Sequence, residues 1–364
     1  MKAAFLTGIR EMEVRDAPVP AIGGEHDVLL AVDTVGVCGS DVHYYNEGRI
    51  GSMVVEYPCM TGHECSGVVV ETGRAVANVK SGDRVAIDPL IVCGKCDQCR
   101  SGRRHTCRNQ HFLACPGQGP GALAEYLVMP DYCCFPLPDN VDLVQAALCE
   151  PLSVGLYAHR LSTLVAQPFQ AVNSEKHQGH RLESLCHVAI LGCGPIGLSV
   201  LAAIRAAGAP VKVYMTDLLD ERLAFARRFG ADWTGNARTG DVVEQIVRLQ
   251  PQGLDVVFEC SGEQDAIDAG VRMLKPGGQL VLIGIPKVDR VSLVIDLARR
   301  KELSIQNVRR QNECVQAAID LVAAGRVDVR PMATHHFPLS RVKDAFDLVQ
   351  NYRDGVIKAM VHVK

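Results

Sequence analysis

The sequence has no long apolar run and little excess of charge of either sign, and each absence excludes a class of protein. No window reaches about 18 consecutive apolar residues, so no segment is predicted to span a bilayer. The formal net charge is −3 over 364 residues, which gives no reason to expect a nucleic acid or an anionic membrane as a partner. The opening residues, MKAAFLTGIREMEV, also lack an apolar stretch of signal-peptide length.

Cysteine, by contrast, is abundant, with 15 residues in the chain. The number is odd and the chain is long, so a secreted disulfide scaffold is the wrong interpretation. Reduced thiols, some of them binding metal, fit better and predict a cytoplasmic protein. The composition is 48% hydrophobic and 22% charged, which is typical of a globular chain, and the length leaves room for two domains.

The pattern of the sequence changes near residue 187. Before residue 150, short runs such as SGVVVETG and GDRVAIDP are bounded by Gly, Pro and Asp, which predicts a β-rich domain. Beyond residue 187, apolar strands alternate with helices, which predicts an α/β domain with a parallel sheet covered on both faces. The tail after residue 310 reads as two amphipathic helices and a final strand.

The segment GCGPIG has the G-x-G-x-x-G spacing of a dinucleotide-binding turn. It follows the apolar strand VAIL and opens an apolar helix, which is the context that this motif requires. The first glycine permits the tight turn, and the second lets the backbone approach a pyrophosphate at the helix N-terminus. The predicted cofactor-binding residues here are Gly192, Gly194, Pro195, Ile196 and Gly197.

The identity of the dinucleotide depends on two further residues. Asp217 ends the next predicted strand, 25 residues after Gly192. A carboxylate there can hydrogen-bond the adenosine ribose and repels a 2′-phosphate, which favours NAD over NADP. Arg222 is the counter-argument, because a nearby arginine can bind that phosphate.

The loop CGKCDQCRSGRRHTC holds four cysteines within one short segment, Cys93, Cys96, Cys99 and Cys107. Four thiolates are enough to close a tetrahedral zinc site, and a closed shell leaves no position for a substrate. We therefore predict a structural zinc whose binding energy holds the loop. A zinc ribbon that binds DNA is a poor alternative, because there is only one knuckle and the chain is acidic overall.

A second group of candidate residues is dispersed over three segments. These residues are Cys38, Ser40 and His43 in GVCGSDVHYYNEG, His63 and Glu64 in MTGHECSG, and Glu150 in ALCEPLSVG. We expect each segment to be a strand end or a turn, where functional residues collect. Cysteine, histidine and carboxylate together suit zinc with one open position. Spacing alone does not bring them together, and a packed core residue is the alternative for each.

Taken together, these motifs resemble the zinc-dependent medium-chain dehydrogenases, and within them the polyol branch typified by sorbitol and xylitol dehydrogenases. The likeness covers almost the whole chain and is carried by GVCGSDVHYY, GHECSG, EPLSVG, GCGPIG, KPGGQLVLIG and KAMVHV. It implies a GroES-like catalytic domain over 1–155, completed by 310–364, and a Rossmann NAD-binding domain over 156–309. In that family the cofactor lies in the cleft between the domains.

The resemblance also implies roles for individual residues. Cys38, His63 and Glu64 look like ligands of the catalytic zinc. Glu150 replaces a cysteine of the alcohol dehydrogenases proper, and in polyol enzymes this glutamate binds the metal or holds its water.

The resemblance further implies a proton relay, a set of substrate-cleft residues and a set of residues that border the nicotinamide. Ser40 looks like the first hydroxyl of the relay, and His43 looks like its outer base. The substrate-cleft residues implied are Tyr44, Phe112, Glu150 and Arg309. The residues that resemble the border of the nicotinamide are Ile283, Ile285 and Val308.

Two features depart from the family pattern. The segment 164–186, which carries His177 and His180, is longer than the usual entry to the first Rossmann strand. A surface excursion is its plain interpretation, and an oligomer contact or an extra metal site is the alternative. Arg310 stands beside Arg309 where many polyol enzymes have an aromatic or neutral residue. Facing the cleft, it would suit a carboxylate-bearing substrate such as an aldonic acid.

We therefore expect a zinc- and NAD-dependent enzyme that reversibly oxidises a secondary hydroxyl of a polyol to the ketose. Family likeness favours a homotetramer, with a dimer as the alternative. Within the same chemistry, the rivals are a sugar-acid, a threonine and a butanediol dehydrogenase. The rival of another class is a non-catalytic NAD-binding relative, against which the intact ligand set speaks.

Overall fold

The computed structural model describes residues 1–166 and 185–364. The chain separates into two compact units, the first made of Met1–Ser153 and Asn312–Lys364 and the second of Val154–Gln311. Our predicted boundaries lie at 155/156 and 309/310. Most of the predicted extension 164–186, including His177 and His180, falls outside the described residues.

Short strands and turns dominate the first part of the chain. Its runs of Val, Ile and Leu favour strands, and the Gly, Pro and Asp between them favour turns. In chain order the elements are β1 (Lys2–Gly8), β2 (Glu11–Asp16), β3 (Asp27–Gly36), α1 (Gly39–Glu47), β4 (Arg49–Ile50), β5 (Met53–Val54), β6 (Glu64–Thr72), β7 (Arg84–Ile87), β8 (Leu90–Ile91), α2 (Asp97–Arg100), β9 (His111–Phe112), β10 (Tyr126–Pro130), β11 (Cys134–Pro136) and α3 (Leu143–Leu161).

Strands and helices then alternate, as expected for crossover connections between parallel strands. The elements are α4 (Thr163–Ala166), β12 (Cys186–Leu191), α5 (Pro195–Ala207), β13 (Val211–Asp217), α6 (Asp220–Arg228), β14 (Trp233–Asn236), α7 (Val242–Leu249), β15 (Leu254–Glu259), α8 (Gln264–Met273), β16 (Leu274–Leu282), α9 (Ile295–Arg300) and β17 (Ser304–Asn307). The tail adds α10 (Val315–Ala323), β18 (Ala333–Pro338), α11 (Val342–Gln350) and β19 (Lys358–His362). The strand β18 was not predicted from the sequence.

The first unit is built on a mostly antiparallel sheet in the order β11-β7-β6-β3-β19-β18, with β10 also paired to β3. One edge of β3 pairs with β6, and the other pairs first with β10 and then with β19. The last strand of the chain therefore lies next to β3, directly before the start of α1. Apolar residues of these strands, among them Leu30, Leu127 and Val361, form the core of the unit.

The second unit has a six-stranded parallel sheet in the order β14-β13-β12-β15-β16-β17. The order reverses between β12 and β15, which is the topological switch point where open α/β sheets bind nucleotides. The predicted fold class, a Rossmann domain with a β-rich GroES-like domain, is confirmed. Across residues 1–166 and 185–364, every helix is too short or too polar to cross a bilayer.

Candidate functional site

Three predicted ligands come together in the first unit. A ligand atom from each of Cys38, His63 and Glu64 lies within 4.8 Å of the other two. His63 and Glu64 are 6% and 1% exposed. We call these three residues the buried ligand cluster. Sulfur, nitrogen and oxygen donors at this spacing fit a zinc ion with bonds of about 2.0–2.3 Å, and three protein ligands leave a fourth position open.

The thiol of this cluster is held at the start of α1. The strand β3 ends two residues before Cys38, which is the N-cap residue of the helix. The backbone N–H of Cys38 donates to Asp41 Oδ2 at 3.1 Å, and the Cys38 side chain accepts from the backbone N–H of Asp41. This reciprocal pair is a capping box, which holds the Cys38 side chain at the start of α1.

Asp41 contacts the buried ligand cluster, although the sequence did not mark it as a candidate residue. Its side chain is fully buried, and its Oδ1 lies 3.5 Å from His63 Nδ1 and accepts from the backbone N–H of Gly62 at 3.2 Å. A carboxylate at Nδ1 orients the ring and leaves Nε2 available to a metal. The available signal was an acidic residue three positions after Cys38, where a capping box places it.

The charges in this network shift the protonation of both partners. Burial would lower the pKa of His63, but Asp41 and Cys38 together raise it well above its ordinary value. Burial would raise the pKa of Asp41, but His63 and the N–H donors of Cys38 and Gly62 lower it overall. A metal that binds His63 must therefore displace a proton.

Lys358 is a second residue that the sequence analysis missed. Its Nζ donates to both carboxylate oxygens of Glu64, at 2.7 and 2.6 Å, across 294 positions of the chain. Lys358 is 2% exposed and also donates to the backbone carbonyl of Val37 at 3.2 Å. The contact arises because β19 pairs with the end of β3, and no local pattern could have indicated it.

Glu150 was predicted to lie at a strand end or turn, and this prediction is wrong. It lies inside α3, immediately before Pro151. The helix continues through Pro151, and Ser153 Oγ donates to the Glu150 carbonyl at 2.6 Å.

Glu150 is buried beside the buried ligand cluster without joining it. The group of mutually close ligand atoms in the described part of the chain does not include Glu150. Burial raises the pKa of Glu150 to about 7, an effect that His63 opposes and Glu64 strengthens. Its carboxyl group is therefore poised to change charge near neutral pH.

Other predicted residues lie on α1, whose N-cap is Cys38, or beside His63. Ser40 and His43 are half-buried on α1, and His43 Nδ1 lies 3.5 Å from Glu47 Oε2 one turn further on. The ring of Phe112 lies 5.3 Å from that of His63, centroid to centroid. Tyr44 is buried, with its hydroxyl 3.8 Å from the Cys115 sulfur.

The four-cysteine loop, residues 93–107, holds its thiols in a tight group. The Sγ atoms lie 3.6 Å apart for Cys96–Cys99, 3.9 Å for Cys96–Cys107 and 3.5 Å for Cys107–Cys93. Zinc–sulfur bonds of about 2.3 Å give a tetrahedron with edges of about 3.8 Å, whereas a disulfide bond is about 2.05 Å long. The spacing therefore fits a metal and not a disulfide. Backbone N–H groups of Lys95 and Cys96 lower the pKa of Cys93 to about 6.

The glycine turn of the second unit has the geometry that its motif requires. Gly192 follows β12 with a φ of +105°, a conformation that side chains disfavour. Gly194 is the N-cap residue of α5, and Pro195 is the first residue of that helix. A Cβ at Gly197 would lie 1.9 Å from the Gly192 carbonyl oxygen, so only glycine permits this close packing.

Asp217 is held at the end of β13 by backbone donors. Its Oδ2 accepts from the N–H of Cys193 at 2.7 Å, and its Oδ1 accepts from Leu218 and Leu219 at 2.7 and 3.1 Å. Arg222 is buried, with Nη1 3.5 Å from the position that a Cβ on Gly194 would occupy. The Asp217 carboxylate and the Arg222 guanidinium thus both lie against the glycine turn.

The remaining predicted residues follow the last two strands of the parallel sheet. Ile283 and Ile285 come after β16, and Val308 comes after β17, so all three lie at the edge of the sheet that carries the glycine turn. Arg309 is exposed, whereas Arg310 is half-buried and has a φ of +55°. Such a conformation is strained for a side chain other than glycine.

Comparison with known proteins identifies relatives of both units. Residues 24–139 match the family "Alcohol dehydrogenase GroES-like domain", and residues 195–324 match "Zinc-binding dehydrogenase". The chain is 35% identical over 363 residues to sorbitol dehydrogenase of Bacillus subtilis (strain 168), covering 100% of this chain and 97% of that one. It is 34% identical over 352 residues to L-idonate 5-dehydrogenase of Vitis vinifera, covering 95% and 90%.

A solved structure is similar over the whole chain. It is a protein described as a zinc-binding dehydrogenase from Sinorhizobium meliloti 1021, bound to NADP. The identity is 32% and the TM-score 0.85, and the match covers 100% of this chain and 99% of that one.

Proposed function

Because this chain belongs to the zinc-dependent medium-chain dehydrogenases, in their polyol branch, we propose that it oxidises a polyol such as sorbitol or xylitol with NAD. A secondary hydroxyl becomes the ketone of a ketose, and the reaction is reversible. The observation that carries this proposal is the buried ligand cluster, which combines one thiol, one imidazole and one carboxylate within 4.8 Å. A non-catalytic relative has no need of such an open metal site.

We propose one catalytic zinc at the buried ligand cluster and one structural zinc in the four-cysteine loop. Both donor sets fit the ion by their chemistry and spacing. When bound, zinc supplies Lewis acidity toward a hydroxyl oxygen, and NAD supplies the acceptor of the hydride. The protein's own task is to place the substrate and to remove its proton.

Ser40 and His43 are the proposed route for that proton. Ser40 Oγ takes the proton of the substrate hydroxyl, and His43 receives it and releases it to solvent. Glu47 Oε2 lies 3.5 Å from His43 Nδ1 and can hold the imidazole in place. We propose Tyr44, Phe112, Glu150 and Arg309 as the residues that contact the polyol.

We propose NAD as the dinucleotide, held by Gly192, Gly194, Pro195, Ile196 and Gly197 and bordered by Ile283, Ile285 and Val308. The Asp217 carboxylate supports NAD because it repels a 2′-phosphate. Arg222 and the relative bound to NADP argue in the other direction. The ratio of kcat/KM for the two cofactors decides the question, and a preference for NADP would overturn this part of the proposal.

A sugar acid is the second candidate substrate. Arg310 adjoins Arg309 and has a strained backbone, a feature that clusters at binding sites, and L-idonate 5-dehydrogenase is among the relatives. An arginine pair suits a carboxylate. Threonine and butanediol remain alternative substrates, but no contact in the described residues favours either. The homotetramer also remains a prediction, which sedimentation analysis can test.

The decisive experiment is NADH formation with a panel of polyols and aldonic acids, each measured before and after zinc chelation. We expect turnover of sorbitol, xylitol or a similar polyol, and its loss on chelation. Turnover confined to aldonic acids would move the substrate to the second candidate. No turnover of any substrate by the zinc-loaded protein would favour the non-catalytic relative.

A further inference from the structure

A buried ion pair between Lys358 and Glu64 lies at the buried ligand cluster. Lys358 Nζ donates hydrogen bonds to both carboxylate oxygens of Glu64, at 2.7 and 2.6 Å, and both side chains are almost completely buried. A third contact, to the Val37 carbonyl at 3.2 Å, holds the ammonium beside the residue that precedes Cys38. Glu64 is thus a ligand candidate whose lone pairs are already shared with a cation.

Lys358 balances buried negative charge at the buried ligand cluster. Buried charges need partners, because water does not screen them there. A zinc ion and Lys358 supply three positive charges, and the Cys38 thiolate, Glu64 and Asp41 supply three negative charges while Glu150 is protonated. Lys358 therefore lets two carboxylates lie near one metal without a net charge in the interior.

The same pair weakens Glu64 as a ligand. A carboxylate that accepts two charge-assisted hydrogen bonds gives less electron density to a metal than a free one. Without the ammonium, the buried Glu64 would have only the metal to neutralise it.

We propose that Lys358 competes with the metal for Glu64, makes Glu64 an exchangeable ligand, and so keeps a coordination position open for the substrate hydroxyl. Lys358 is a positioning residue in this scheme, because it acts through Glu64. The inference rests on the proposed function, since it requires a zinc ion at the buried ligand cluster. It leads to an unusual expectation: loss of the ammonium tightens metal binding and slows turnover.

The test is Lys358→Met, which keeps the length of the side chain and removes its charge. Zinc affinity is measured by chelator competition, and ligation is measured from the visible absorption spectrum of the cobalt-substituted protein. We expect zinc to bind tighter by a factor on the order of ten, the scale on which residues behind metal ligands act. We also expect a changed cobalt spectrum and a lower kcat. Lys358→Arg, which keeps the charge, should retain the wild-type spectrum.

Lys301→Met is a matched control in the second unit. Lys301 Nζ donates to the carbonyls of Val271, Arg272 and Leu274 at 3.1, 2.8 and 2.6 Å, and it is part of neither ligand cluster. Its loss should lower the Tm and leave zinc affinity and the cobalt spectrum unchanged.

A second variant covers the case in which Lys358→Met does not fold. Glu64→Gln removes the carboxylate, and an exchangeable ligand predicts a loss of zinc affinity of less than about threefold. A firm ligand predicts a loss of about a hundredfold or more, the upper range for residues at metal sites. That larger loss would overturn the inference, as would weaker or unchanged metal binding in Lys358→Met. A wild-type protein that binds no zinc outside the four-cysteine loop would instead overturn the proposed function.

Discussion

The two metal-ligand groups of the first unit differ in how the chain assembles them. The four-cysteine loop draws every ligand from residues 93–107, near the surface and with one type of donor. The buried ligand cluster takes three types of donor from the β3–α1 junction and the start of β6, and Lys358 of the last strand supports it. A local group can be closed and stable by itself, whereas a dispersed group depends on the sheet that joins its parts.

Loss of the thiol from the buried ligand cluster should have the largest effect. We expect Cys38→Ser to lower kcat/KM at least about a thousandfold, roughly 4 kcal/mol of transition-state stabilisation. The Tm should change by no more than about 2 °C, because Cys38 is half-buried at a helix N-cap that serine also suits. Steady-state kinetics and thermal unfolding measure both quantities. Cys59→Ser, another half-buried thiol of this unit, is the control and should remain active.

Loss of a thiol from the four-cysteine loop should lower thermal stability strongly and activity only slightly. We expect Cys96→Ser to lower the Tm by about 5–10 °C, because a structural zinc contributes folding energy. Activity at low temperature should stay within about threefold of the wild type. Zinc content should fall from two equivalents per chain to one. If the two cysteine variants had the same profile, the division into a catalytic and a structural group would be wrong.

Asp41→Asn should weaken the buried ligand cluster without removing a ligand. The amide keeps the shape but loses the charge that orients and polarises His63, so zinc affinity should fall about 10–100-fold. Chelator competition measures this loss, and excess zinc should restore most of the turnover. The control is Asp97→Asn, which breaks the exposed pair with Arg108 beside the four-cysteine loop. An unchanged zinc affinity in Asp41→Asn would remove Asp41 from the site.

The smallest effect concerns pH. In the metal-free protein the pKa of His63 is raised, so its contribution to stability is complete below about pH 6.5 and is lost as pH rises through the folded-state pKa. The pKa of Glu150 is raised to about 7, so its contribution to the free energy of unfolding also falls as pH rises from about 4.5 to 7. Zinc binds His63 in place of its proton, so the Tm gain on adding zinc should grow by a few degrees between pH 6 and 8.5.

Differential scanning calorimetry at several pH values checks this dependence. Asp41→Asn is the informative variant, because it removes the carboxylate that raises the pKa of His63 and should flatten the rise. A zinc-induced Tm gain that falls as pH increases would contradict the assigned protonation of His63.

Much of the architecture was predictable because its signals are local. The Gly192–Gly197 turn follows from a strand, a glycine spacing and a helix in direct succession. The spacing of the four cysteines was enough to predict that their thiols form one group. The helical position of Glu150 was not predicted, because α3 continues through Pro151, a residue that disfavours the helix interior.

The sequence by itself determined the alternation of strands and helices, the nucleotide-binding turn and the thiol group of the four-cysteine loop, because each depends on neighbours within a few residues. Tertiary structure alone decided that His63 meets Cys38, that Asp41 supports the imidazole, and that Lys358 neutralises Glu64. These contacts depend on which strands pair in the sheet. Strand pairing is set by burial over the whole unit, which no short segment of sequence records.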